Sequence, residues 1–206
     1  MTRIALEALA GRHAGMIAHV LGNGPSRLET WVRSPHAVLI ACNAAYRDLR
    51  PDYLMVSDVP IWEELVRERY EGKVAGGFPR GKLWDRMDHA KLPFDHINTN
   101  YGRPGGLHST GLLAMWFACH LGCSEVHLFG YDGGKQNVYA GTENYAPQDR
   151  DIKKHHAQDA LLKLQRIYPD VEFVPHGDSH IFQVHRLRQR KPPAGHHAGG
   201  GADDRL

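Results

Sequence analysis

The sequence predicts a doubly wound α/β fold, in which a mostly parallel sheet carries helices on both of its faces. Two observations lead to this prediction. Short apolar runs rich in β-branched residues alternate along the chain with segments of helical pattern, and such alternation is typical of βαβ units. The apolar run at residues 16–21 is followed by a glycine-containing turn and then by a helix, which is the arrangement of a Rossmann-like fold.

The elements of the first half follow from their hydrophobic period. Short apolar runs predict buried strands, and apolar residues one helical turn apart, such as Ile61 and Leu65, predict an amphipathic helix. The predicted order is a helix over 2–13, a strand over 16–21, a helix over 25–31, a strand over 37–42, a helical turn over 44–49, a strand over 51–58, a helix over 61–70 and a short strand at 74–75.

The second half is organised around an uncharged helix. Ser109 or Thr110 caps this helix, which runs to residue 121 and is predicted to be buried in the core or between two copies of the chain. The other predicted features are a charged stretch over 79–92, a loop over 98–108, a strand over 125–130, a lid-like loop over 133–148, a helix over 149–167 and a strand over 171–174. The whole predicts one domain over 1–187, with a disordered basic, glycine- and histidine-rich tail over 188–206.

The composition is that of a globular protein with no strong charge preference for its partners. The chain has 206 residues, 42% of them hydrophobic, and a formal net charge of +2, so a nucleic acid is expected only as an acceptor substrate, if at all. No apolar run approaches the roughly 20 residues that span a bilayer. Cys42, Cys119 and Cys123 lie in apolar segments, which predicts buried, reduced thiols and a cytoplasmic location.

The turn after the first strand has the residues of an anion site. Gly22 and Gly24 relieve the steric limits of a tight turn, Asn23 adds an amide, and Pro25 or Ser26 begins the next helix. Unpaired backbone N–H groups at such a helix start attract phosphate. The alternative is an ordinary βα turn, because Arg27 stands where the dinucleotide-binding fingerprint has its third glycine.

Polar side chains also follow the other predicted strands. Because the carboxyl ends of parallel strands meet at one edge of a sheet, these side chains are expected to line one pocket. They are Asn23, Asn43, Ser57, Asp58, Tyr131 and Asp132.

The combination of motifs resembles a known superfamily. The motifs are Leu-Gly-Asn-Gly-Pro-Ser at 21–26, Cys-Asn at 42–43, Ser-Asp at 57–58, Ser-Thr-Gly at 109–111 and Leu-Phe-Gly-Tyr-Asp at 128–132. In this order they resemble the bacterial sialyltransferases of glycosyltransferase family 42. They also resemble the 6-hydroxymethylpterin diphosphokinase-like group, which includes uncharacterised phage-borne proteins. The likeness extends from about residue 16 to residue 182.

The resemblance implies roles for individual residues. It implies that Gly22, Asn23, Gly24, Pro25, Ser26, Asn43, Ser57, Asp58, Ser109, Thr110 and Gly111 hold a cytidine nucleotide sugar. It also implies that His155 or His156 is the general base, that Asp132 belongs to the catalytic set, and that Tyr139 and Tyr145 of the lid assist the leaving phosphate. The implied reaction is an inverting glycosyl transfer with a nucleotide-sugar co-substrate and no obligatory metal.

Three functional hypotheses remain open from the sequence. The first is this nucleotide-sugar-dependent transferase. The second is a diphosphokinase in which Asp58 and Asp132 hold Mg²⁺ with a nucleoside triphosphate. The third is a non-catalytic nucleotide-binding phage protein. His176 and His180, which flank Asp178, are a rival histidine pair or a metal site, and Arg103 is a candidate phosphate clamp.

Overall fold

The structure is a computed structural model that describes residues 2–76, 92–100, 102–132, 136–147 and 154–177, without the side chains of 154–157. The described residues form eight strands and four α-helices. The strands are β1 (Arg3–Ile4), β2 (Ile17–Leu21), β3 (Ala37–Cys42), β4 (Tyr53–Val56), β5 (Lys73–Gly76), β6 (Asp95–Asn98), β7 (Glu125–Phe129) and β8 (Glu172–Pro175). The α-helices are α1 (Ser26–Thr30), α2 (Val59–Arg67), α3 (Thr110–His120) and α4 (Lys154–Ile167).

All eight strands belong to one sheet in the order β1-β6-β5-β4-β3-β2-β7-β8. Every neighbouring pair is parallel. The predicted α/β class and its Rossmann-like parallel sheet are therefore confirmed. No helix in the described part of the chain has the length and apolar character needed to cross a membrane.

Two apolar cores lie on opposite faces of the sheet, because alternate residues of each strand point to opposite sides. Val38 and Ile40 of β3 belong to the core beneath α3 and α4, whereas Leu39 belongs to the core beneath α2. In α3, the residues from Leu112 to Cys119 are at most 5% exposed. This helix packs against the core of its own chain, which decides between the two predicted environments.

The sheet has a topological switch at β2. The chain leaves β2 toward β3 on one side, and β7 returns on the other side of β2. The connections at the carboxyl ends of β2 and β7 therefore diverge, and this divergence opens the crevice where doubly wound folds bind their ligands.

The N-terminal helix predicted over 2–13 is wrong. The segment instead forms β1 and one 3-10 turn, Glu7–Leu9. Gly11 and Gly15 have positive φ values of 68° and 75°, which interrupt a helix. Their amides donate to carbonyls at the end of α3, at His120 and Gly122, so tertiary hydrogen bonds replace helical ones.

The structure also differs from the predicted elements at one strand and at one turn. Strand β6 was missed, because its polar residues Asp95, His96 and Asn98 hide the strand pattern. The helical turn predicted over 44–49 is present as a 3-10 helix, Asn43–Arg47. The three cysteines are free and buried, as predicted.

Ser109 caps α3 and gives a first testable prediction. Its side chain accepts a hydrogen bond from the Leu112 amide at 3.3 Å. Ser109→Ala is expected to lower the free energy of unfolding by about 1 kcal/mol, measured by urea denaturation, because that amide loses its partner. Ser109→Asp keeps an acceptor and should retain most of the stability. An equal loss in both variants would contradict a capping role.

Candidate functional site

The glycine turn after β2 packs tightly against the end of β7. The amides of Gly22 and Gly24 donate to the carbonyls of Phe129 and Gly130 at 2.8 and 2.9 Å. A Cβ on Gly22 or Gly24 would lie 2.5 or 2.6 Å from the Gly130 oxygen. Both glycines are therefore required by the approach of the β7 backbone, and their amides face the protein.

Asp132 occupies the start of α1. Pro25 takes the N-cap position, and Ser26 is the first helical residue. The Ser26 amide donates to Asp132 Oδ2 at 2.9 Å, and the Ser26 hydroxyl donates to Oδ1. An internal carboxylate thus holds the helix start where an anion was predicted, and it joins the two sides of the topological switch.

The buried side chain of Arg27 is hydrogen-bonded to the glycine turn. It is 2% exposed and donates to the Gly22 carbonyl at 3.4 Å and to Asn23 Oδ1 at 3.3 Å. Its other amino group reaches Asp48 at 2.8 Å and the Tyr139 hydroxyl at 2.6 Å. The residue that breaks the glycine fingerprint is therefore a structural arginine at the base of the loop.

A second polar group lies at the carboxyl ends of β3 and β4. Asn43 adopts a left-handed conformation with φ of 49°, which asparagine tolerates better than most residues. Its side-chain amide donates to Asp58 at 2.6 Å and to the Thr110 hydroxyl at 3.3 Å, and Ser57 is hydrogen-bonded to Thr110. Asn43 Oδ1 is buried and has no hydrogen-bond partner among the described residues.

Asp58 has an unusual environment for a carboxylate. Burial raises its pKa above the ordinary value, and the hydrogen bond from Asn43 opposes this effect. Asp58 occupies the N-cap position of α2, but its side chain makes no capping hydrogen bond. Its carboxylate is therefore available to the second polar group.

Tyr131 lies between the two halves of the site. Its hydroxyl donates to the Gly111 carbonyl at 2.9 Å. A Cβ on Gly111 would lie 2.9 Å from the Tyr131 ring, and one on Gly22 would lie 3.4 Å from it. Gly111 is thus explained by packing against this ring, rather than by a requirement of the ligand alone.

The predicted lid is described over residues 136–147, and this segment docks on the site. The Val138 amide donates to the Asn23 carbonyl at 2.9 Å. The Tyr139 hydroxyl, besides accepting from Arg27, donates to Asp48, and burial raises the pKa of Tyr139. Tyr145 packs against the core cluster on the α2 face. Both predicted tyrosines therefore hold this segment against the domain.

The structure describes several of the other predicted site residues only in part or not at all. His155 and His156 lie in the first turn of α4, and their side chains are outside the described part of the structure. Asp178 and His180 also lie outside the described residues. Arg103 is half-buried in the connection from β6 to α3, and Ser109 is the cap of that helix.

Sequence reasoning missed a polar pair at the end of β6. Asn98 is 9% exposed and Thr99 is fully buried. The Thr99 hydroxyl has no hydrogen-bond partner among the described residues. These residues follow the same pattern of polar side chains after a strand, so the signal was present once β6 itself was recognised.

His19 and His127 on β2 and β7 were also missed, and they form a cluster with His176, which was predicted as one of a rival histidine pair. His19 and His127 are register partners on β2 and β7, and His127 is hydrogen-bonded to His176 at 2.7 Å. Burial, with positive neighbours, lowers the pKa of His19 to about 4. The sequence signal was a histidine in the middle of each of two apolar strands, β2 and β7.

Within the described ranges, no three His, Cys, Asp or Glu side chains are grouped so that they could hold an ion. Asp132 is bound to Ser26 and Asp58 to Asn43, so the two carboxylates proposed for Mg²⁺ have separate partners.

No family model, curated protein or solved structure matches the chain. The resemblance to glycosyltransferase family 42 and to the diphosphokinase-like group therefore stays a prediction from the motifs.

Proposed function

We propose that the protein binds a nucleotide donor at the carboxyl edge of the sheet and transfers a sugar from it, the donor being a CMP-sugar-like nucleotide. The observation that carries the proposal is the buried Asn43 Oδ1 beside Asp58 and Thr110, an acceptor for which the described residues supply no donor. A buried acceptor left unpaired is costly. A hydroxyl or amino group of a nucleotide supplies the missing donor.

The start of α3 is the better place for the phosphate of such a ligand. The amides of the glycine turn are used by β7, and Asp132 occupies the start of α1. Helix α3 has 11 residues, and the positive end of its dipole favours an anion near Thr110 and Gly111. Asn43 then contacts the sugar or base of the nucleotide while α3 stabilises the leaving phosphate.

The remaining requirements are a base and the exclusion of water. In the proposed reaction a histidine takes the proton of the acceptor hydroxyl, and the sequence offers His155 and His156 for this role. The docked segment 136–147 covers the glycine turn through its contact with Asn23, which limits access of water to that side.

Thermal denaturation with CMP, CDP, UDP, GDP and ATP, each with and without Mg²⁺, tests the proposal. A nucleotide at a hundred times its Kd adds about 2.7 kcal/mol of stability. We expect stabilisation by a cytidine nucleotide in the absence of metal. Stabilisation by none of the nucleotides would overturn the proposal.

Asn43→Gly is the matching variant. Glycine keeps the left-handed backbone at this position and removes only the side chain, so the stabilisation by CMP should disappear. Arg69→Gly is the control, because Arg69 also has a positive φ, 52°, but is exposed just after the end of α2. An Asn43→Gly variant that keeps the full shift would show that the nucleotide binds elsewhere.

The diphosphokinase alternative predicts a different outcome. It requires Asp58 and Asp132 to share Mg²⁺ with a nucleoside triphosphate, whereas in the structure Asp132 is bound to Ser26 and Asp58 to Asn43. Stabilisation by ATP only in the presence of Mg²⁺ would favour this alternative. Nucleotide binding without turnover of any donor would favour a non-catalytic binding protein.

A further inference from the structure

Glu125, His127 and His176 form a hydrogen-bonded chain on the face of β7 and β8. His127 bonds Glu125 through Nε2, and its Nδ1 lies 2.7 Å from His176 Nε2. The two imidazole centroids are 4.9 Å apart and their planes differ by 24°. With nitrogens this close, the rings meet edge to edge, which is the geometry of a hydrogen bond rather than of a face-to-face pair.

The partners determine which nitrogens carry protons. An ionised carboxylate only accepts, so His127 donates from Nε2 to Glu125. With its proton on Nε2, His127 accepts at Nδ1 from His176 Nε2. This leaves Nδ1 of His176 as the unprotonated end of the chain. Burial, and next His127, lower the pKa of His176, which favours the neutral ring.

The chain runs along the strands toward the carboxyl edge of the sheet. Pro175 pairs in register with Leu128, so His176 lies beside Phe129, and their rings stack at 4.2 Å. A Cβ on the next residue, Gly177, would lie 3.1 Å from the Ser26 hydroxyl. His176 is thus one residue from the contact with Ser26, which Asp132 holds at the edge of the candidate site.

We infer that His176 is the residue that takes the proton of the acceptor hydroxyl, and that His127 and Glu125 are its positioning residues. The inference rests on the proposed transferase function. It assigns the base of that site from a hydrogen-bonded chain that the motifs did not indicate.

The proposed step is a single displacement. The acceptor O–H bond breaks and its proton passes to Nδ1 of His176. The electron pair of the acceptor oxygen forms the new bond to the donor carbon, and the bond from that carbon to the phosphate breaks with its electron pair left on the phosphate oxygen. The imidazolium formed on His176 is stabilised through its Nε2–H by His127 and, beyond it, by the Glu125 carboxylate.

Other charged or titratable groups share this face and belong in the interpretation of any pH dependence. His19 lies on β2 beside His127, with ring centroids 5.5 Å apart. Glu172 of β8 is the register partner of Glu125, and Arg33, beyond α1, lowers the pKa of His19 through its positive charge. Glu172 is exposed, which makes it a suitable control position.

The first test measures proton positions in the full-length chain by ¹⁵N–¹H correlation spectra of the histidine rings. His127 and His176 are both expected to carry their proton on Nε2. Glu125→Gln should shift the His176 signals through His127, whereas Glu172→Gln should not. A His176 ring protonated on Nδ1, or one insensitive to Glu125→Gln, would overturn the inference whether or not turnover is observed.

The second test measures CMP release from CMP-sialic acid together with CMP affinity. His176→Asn is expected to reduce kcat by at least about 100-fold, the effect of losing a general base, with the Kd for CMP unchanged. Glu125→Gln should give a smaller loss, and Glu172→Gln none. If His176→Asn keeps the wild-type rate while binding CMP, the inference fails and the transferase remains; if wild-type protein binds no nucleotide, the proposed function itself fails.

Discussion

Replacing Glu64 by glutamine is expected to lower the free energy of unfolding by about 3 kcal/mol, because it breaks a buried charged network. Glu64 is 1% exposed. Both of its oxygens accept from Arg47, at 2.6 Å each, and Asn144 donates to it at 2.6 Å. The glutamine would turn one N–H group toward the Arg47 donors, which would weaken one of the contacts that hold the segment 136–147, the bond from Asn144 to Glu64.

The loss should depend on pH in a defined direction. Burial alone would raise the pKa of Glu64, but the hydrogen bonds from Arg47, Tyr46 and Asn144 outweigh it and hold the pKa below its ordinary value of 4.5. A lowered pKa contributes stability that is fully present above the unfolded value and is lost as pH falls through the folded value. The difference between wild type and Glu64→Gln should therefore be largest near pH 6 and shrink below about pH 4.5.

Urea denaturation between pH 3 and pH 7 measures this difference, and Glu68→Gln is the control. Glu68 lies one turn further along, is 45% exposed, and its carboxylate lies 3.0 Å from the same Tyr46 hydroxyl. An exposed carboxylate contributes less than about 1 kcal/mol. Equal losses in the two variants, or a difference that does not change with pH, would contradict a buried ionised Glu64.

The parallel sheet was predictable because its strands are buried on both faces. β3 is apolar along its whole length and all six of its residues are buried, so its sequence leaves little room for another assignment. β6 has the opposite character. Its His96 and Asn98 are buried polar residues. Because their burial depends on tertiary partners, the segment has no apolar periodicity from which a strand could be predicted.

The candidate site was predictable as a set of positions, but the partners of each residue were not. The rule that polar residues gather at the carboxyl ends of parallel strands placed Asn43, Asp58 and Asp132 at one edge. The bond between Ser26 and Asp132 joins residues 106 positions apart, and only the switch of strand order at β2 brings them together. Local sequence carries no signal for such a contact.

Arg27 is the clearest example of a residue whose contacts could not be predicted from the local sequence. As a sequence feature it weakened the anion-binding interpretation, since it replaces the third glycine of the fingerprint. In the structure its guanidinium supports the turn through the Gly22 carbonyl and Asn23, and it reaches across to Asp48 and Tyr139. The turn is therefore built around an arginine in place of the close helix–strand contact that a third glycine permits.

Arg27→Met is accordingly expected to lower the free energy of unfolding by about 3 kcal/mol. This value is at the lower end of the range for a broken buried ion pair, because the partner Asp48 is 46% exposed. The methionine fills much of the volume but leaves the Gly22 carbonyl, Asn23 Oδ1 and the Tyr139 hydroxyl without their donor. Urea denaturation measures the loss. Arg33→Met is the control, because the pair of Arg33 with Asp52 is 44% exposed on both sides and should contribute less than about 1 kcal/mol.

A double-mutant cycle with Tyr139→Phe separates the two consequences of losing Arg27. If Arg27 anchors the segment 136–147 through Tyr139, the double variant should lose less stability than the sum of the two single variants. The reason is that either substitution alone already removes the hydrogen bond between Arg27 and the Tyr139 hydroxyl. Arg27→Met should also speed proteolytic cleavage within 136–147, since that segment opens more readily when its anchor is removed. Strictly additive losses with unchanged cleavage would assign Arg27 to the glycine turn alone, and the segment would then depend on Glu64 and its partners.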